Sequence, residues 1–169
     1  MQFTHWNKTA TTGKVGDKND CTVRAFMKVM DVDYATARAN LAAFGRQPNK
    51  GCKWWQFADW WNGRELNGRT LREMPLAKDE DRFKHHARHQ VTQWRTVGQF
   101  VKAHPRGRYV LRVARHVLPL VDGVVYDWKE GPARRLLGVT EAIPCGEKPK
   151  PKPSNDKPTI YAMQKEFSF

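Results

Sequence analysis

Residues 107–128 read GRYVLRVARHVLPLVDGVVYDW, and the fold class turns on this stretch. Arg108 to Ala114, His116 to Val121 and Val124 to Trp128 are three short runs rich in β-branched and aromatic residues, the signature of strands. Asp122-Gly123 between the last two runs predicts a two-residue hairpin, because both residues tolerate a left-handed backbone. Centring the turn there opposes Val121 to Val124, Leu120 to Val125, Pro119 to Tyr126 and Leu118 to Asp127. His116 and Asp127 then fall on adjacent strands, on a diagonal of roughly 7–8 Å that imidazole and carboxylate can span.

Upstream of this meander the texture is helical. Val23, Ala25, Phe26, Val29 and Met30 follow helical spacing, which predicts a helix over Cys21–Met30 with Asp20 as its N-cap. Asp33 caps a second helix, Tyr34 to Phe44, closed by Gly45, and residues 47–51 (QPNKG) read as a turn. KWWQFADWW, Lys53 to Trp61, reads as a short aromatic helix with Trp54, Trp55, Trp60 and Trp61 serving mainly as core. Thr96 caps a helix to Ala103, ended by Pro105-Arg106-Gly107. Leu136 to Ile143 predicts a further strand, and residues 1–18 read as an irregular lead-in. Helices followed by antiparallel strands make an α+β fold, with N-terminal helices packed on a C-terminal antiparallel meander. Residues 1–145 form the expected domain. Residues 146–169, opening with a run of alternating Lys and Pro, form an extended tail.

Composition narrows the functional class. The chain has 169 residues, 40% of them hydrophobic, enough for a packed core. No apolar run reaches transmembrane length and the first residues lack a secretory apolar segment, so the expected location is the cytoplasm, with no membrane partner. Three Cys, with no CxxC pair, fit a reducing compartment rather than a disulfide framework. Cys52 and Cys145 carry no motif and read as structural. His85, His86 and His89 lie in a charged segment without a second ligand cluster, so neither metal nor cofactor is expected. The net charge of +13 is spread along the chain. It supports diffuse attraction to polyanions without marking a recognition element.

Cys21 opens a helix, where the dipole and free backbone N–H groups favour a thiolate. A thiol there, a His opening a strand and an acid on the next strand constitute a Cys-His-Asp relay. In that relay Cys21 is the nucleophile, His116 the acid/base and Asp127 the group that orients the ring.

NDCTVRA (residues 19–25) followed by residues 107–128 resembles the papain-like cysteine peptidase superfamily, closest to its small phage and bacterial members. The likeness covers residues 19–30 and 96–128. It implies a papain-like fold and a thiol hydrolase acting on a peptide, isopeptide or other amide bond of a protein or peptide substrate. In phage-encoded members the location implied is the host cytoplasm. Two departures stand out. Thr22 follows the Cys where classical papains carry an aromatic residue. The family's oxyanion Gln is missing, and Asn19 is the nearest amide able to take that role. Arg24, Arg112 and Arg115 lie near this centre in sequence, with a surface position the commoner fate of each. Arg115, beside His116, is expected to face the opposite side of its strand. The rival reading is a basic nucleic-acid-binding or host-interaction protein without catalysis, possibly on an inactive peptidase fold.

Overall fold

In the computed structural model, residues 2–4, 17–52, 64–74, 94–126 and 131–146 are described. Asp127, the aromatic run 53–63, the His-rich segment and the tail lie outside them. The elements in chain order are β1 (Gln2–Thr4), α1 (Cys21–Met30), α2 (Tyr34–Ala43), β2 (Glu65–Leu66) and β3 (Arg69–Glu73). They continue with α3 (Val97–Ala103), β4 (Arg108–Val113), β5 (His116–Val121), β6 (Val124–Tyr126) and β7 (Gly138–Pro144). The strands form one sheet in the order β1-β6-β5-β4-β7-β3-β2. Six strands are antiparallel to their neighbours, and β1 adds to β6 in parallel. The fold is α+β. The lead-in expected to be irregular contributes this edge strand.

The β5–β6 hairpin has the register its turn dictates. Val121 opposes Val124 and Leu120 opposes Val125. Asp122 and Gly123 both take positive φ (47° and 79°), the I′ geometry that matches strand twist. A second hairpin joins β2 to β3 through Asn67-Gly68, with φ of 51° and 66°. β7 sits between β4 and β3, so the meander does not run in chain order.

The sheet is covered by helices on both faces. α1 and α2 cover one face with Val23, Phe26, Val29, Met30 and Leu41 against Val110, Leu71 and Ala142. α3 covers the other, placing Val97, Phe100 and Val101 on Tyr109, Leu111, Leu118, Leu120 and Val139. β4 explains how one strand serves both. Tyr109, Leu111 and Val113 alternate with Arg108, Val110 and Arg112, and each set faces its own layer. Phe100 carries an aromatic cluster with Trp94, His104 and Tyr109 around it. Thr96 and Gln99 form the capping box that starts α3. Among the described residues no helix is long and apolar enough to cross a membrane.

Candidate active site

α1 is anchored at its C-terminal end. Asp31 takes a left-handed φ of 61° and its N–H closes on Met27 O. The remaining end carbonyls are capped from the sheet. Arg108 donates to Lys28 O (2.9 Å), and Asn67 Nδ2 donates to Met30 O (3.1 Å) and Asp31 O (2.7 Å). Arg108 is the first residue of β4. A ten-residue helix is about 15 Å long, and six strand residues span about 17 Å. Tying the end of α1 to the start of β4 therefore delivers Cys21, at the other end of the helix, to the β4–β5 turn where His116 begins its strand.

Cys21 and His116 meet there. Burial pushes the Cys21 thiol up. The hydrogen bond and charge of the His116 imidazole, with the Thr22 hydroxyl and the Val117 backbone N–H, outweigh that and leave its pKa below the ordinary cysteine value. The other two thiols go the opposite way. Burial raises Cys52, against hydrogen bonding from Thr22. Desolvation and Glu65 raise Cys145. Of the three, Cys21 alone is biased toward thiolate.

The thiol opens into a cleft of about 240 Å³ lined by Cys21, Thr22, Gly51, Cys52, Arg112, Val113, Arg115, His116 and Val117. Cys52, read from sequence as structural, is thus a wall of the cleft beside Cys21. Arg115 also lines it, against the expectation that strand alternation turns it away. It occupies a turn with φ 61°, where alternation does not apply.

The approach to Cys21 is fixed from 30 residues downstream. Arg46 is buried and pairs with Asp17 (2.7 Å), and its second nitrogen donates to Asn19 O (3.1 Å). Asn49, itself left-handed at φ 60°, accepts from Lys18 N on its side chain (3.1 Å) and donates its own N–H to Asp17. Asn19 Nδ2 donates to Asn49 O (3.0 Å). The side chain expected to serve an oxyanion is therefore engaged with the 47–50 turn and is not among the cleft residues.

Asp20 and Arg24 also depart from expectation. The Asp20 side chain makes no cap bond. It pairs with Arg24 at 2.9 Å, both 1% exposed, and accepts from Tyr34 OH at 3.3 Å. Arg24 is thus a buried member of an ion pair rather than a surface cation or a cleft residue. The first backbone N–H groups of α1, which no intrahelical carbonyl can reach, are left without that carboxylate.

Asp122, the other acid near the hairpin, is at the far end of β5. Six positions separate it from His116, about 20 Å along a strand. Its carboxylate accepts from Gly107 N (3.0 Å). Asp127 follows directly on β6 and lies outside the described residues. Among the described residues no three His, Cys, Asp or Glu side chains are grouped to hold a metal ion. Comparisons with protein-family models, with curated proteins and with solved structures find no significant match to this chain.

Proposed function

We propose that the protein is a thiol hydrolase with a papain-like arrangement, cleaving an amide bond (peptide or isopeptide) through an acyl-enzyme on Cys21. One observation carries this reading: a thiol at a helix N-terminus, lowered in pKa by the imidazole that opens the facing hairpin strand, inside a cleft. The thiolate attacks the carbonyl carbon. His116 in its imidazolium form gives its proton to the departing amine, then takes one from the water that hydrolyses the thioester. The first N–H groups of α1 are the oxyanion donors in this scheme, since the geometry turns Asn19 elsewhere. Asp127 is the residue assigned to orient the imidazole, by its place next after β6.

The test needs no substrate. Iodoacetamide near pH 6 should alkylate Cys21 at least about tenfold faster than Cys52 or Cys145, since the thiolate is the reacting form. His116→Ala should remove that advantage while leaving the circular dichroism unchanged. Equal labelling of all three cysteines would refute the nucleophile and favour the basic binding-protein alternative.

A further inference from the structure

The cleft has a charge pattern that thiol chemistry alone does not require. Its described lining holds two guanidinium groups, Arg112 and Arg115, and no carboxylate. Arg112 is held in place. It stands opposite Val117 on one side and Gly138 on the other. Its terminal nitrogen donates to Leu137 O at 2.6 Å. The guanidinium lies over Gly138 so closely that a Cβ there would sit 2.7 Å from one nitrogen and 2.8 Å from another. The missing side chain at 138 is what makes room for the cation. Burial has brought the Arg112 pKa down to about 10, with Glu73 acting against the fall. Arg115, exposed on the turn, adds a second cation at the mouth.

We propose that Arg112 and Arg115 form an anion subsite, so that the bond presented to Cys21 belongs to a substrate carrying a carboxylate within about one residue of it. The planar guanidinium fork matches a carboxylate in geometry and charge. Where neighbouring groups exclude water, that match discriminates more strongly than at an open surface. This assignment rests on the reading of Cys21 as nucleophile, and it makes Arg112 a specificity-determining residue.

The probe is a pair of alkylating agents of nearly equal size, iodoacetate and iodoacetamide. Each loses iodide to the attacking thiolate, and they differ in one negative charge. The rate ratio at Cys21, iodoacetate over iodoacetamide, is compared with the same ratio at Cys145, outside the cleft. The Cys21 ratio should be about tenfold higher at low ionic strength and should fall with salt. Arg112→Gln and Arg115→Gln should each lower it, and the double variant should lower it furthest, leaving only the preference set by the His116 imidazolium. If Arg112→Gln does not fold, Gly138→Ala displaces the guanidinium without removing it and must lower the ratio as well. A Cys21 ratio no higher than that of Cys145, or one left unchanged by both substitutions together, overturns the subsite.

Failure of the hydrolase reading looks different. Cys21 would then react with iodoacetamide no faster than Cys145, whatever the ratio between probes. Protection of Cys21 from iodoacetamide by acetyl-Ala-Ala with a free C-terminus assigns a terminal carboxylate. Protection by acetyl-Ala-Glu-amide assigns an acidic side chain. If acetyl-Ala-Ala-amide protects as well as either, or if none protects, a carboxylate-selective peptide site is refuted.

Discussion

Asp20→Ser separates two roles that the same residue can play in front of α1. Ser is as good an N-cap as Asp. If capping were the function of Asp20, the exchange would change stability by only a few tenths of a kcal/mol. The structure gives the carboxylate another role, pairing with a guanidinium that is 1% exposed. Removing one partner of a buried ion pair costs about 3–5 kcal/mol, because the remaining charge keeps its desolvation penalty. The Tyr34 hydroxyl loses its acceptor in the same step. Folded domains hold only about 5–15 kcal/mol in total, so the loss is large. With a urea m-value of about 2 kcal/mol/M, the unfolding midpoint should fall by roughly 1.5–2.5 M. Adding Arg24→Met, which removes the stranded charge and keeps much of the volume, should recover most of that fall. A drop below about 0.5 M for Asp20→Ser would refute the argument and return Asp20 to the role of a cap.

Three further outcomes follow from the geometry. The Cys21 thiolate, followed by ultraviolet absorbance against Cys21→Ser, should titrate below the ordinary cysteine range and move up in His116→Ala, the direction set by removing a stabilising cation. The Asp17 carboxyl is raised by burial but held below its usual value overall by Arg46 and the Asn49 N–H. Its contribution to stability is therefore present above pH about 4 and lost as pH falls through the lower folded value. Asp17→Asn should flatten the acid limb of a stability–pH curve, and an unchanged limb would contradict the pairing. Gly68→Val should lower the thermal midpoint by about 2–8 °C, since a β-branched residue at φ 66° is strained by about 1–2 kcal/mol and a chain of this size loses about 2–4 °C per kcal/mol. A shift under 1 °C would exclude the turn.

Local signals in the sequence fared well where they were strong. The helical spacing of Cys21–Met30, the Thr96 cap and the Asp122-Gly123 turn each set their own element and register. Asn67-Gly68 is an equally strong hairpin dipeptide, and attention to it finds β2–β3. What single windows cannot show is which distant strand pairs with which. β7 enters between β4 and β3 because its residues fit both edges, a match between positions about 30 and 70 apart in the chain. The elements carrying Cys21 and His116 were legible in the same local way. Their meeting depends on Arg108 and Asn67 gripping the far end of α1, two polar residues with no helix-capping pattern of their own. The burial of Arg24 was hidden for a related reason. An Arg four residues after an Asp reads as a solvated pair until α1 is seen to be covered along nearly its whole length.

The position of β7 sets an order in time as well as in space. Cys21 leaves the ribosome 95 residues ahead of His116, a lag of roughly 5–20 s at ordinary elongation rates. Through that interval Cys21 is without His116, the group that lowers its pKa in the folded chain. Even once His116 has emerged, β3 has no partner joining it to β4 until Gly138–Pro144 arrives. Arg112 likewise lacks its Leu137 carbonyl and its seat over Gly138 until then. The chain thus carries a built-in delay. The candidate site joins segments far apart in the chain, and a product truncated before residue 137 keeps the residues lining the cleft but lacks the carbonyl and the glycine that hold Arg112.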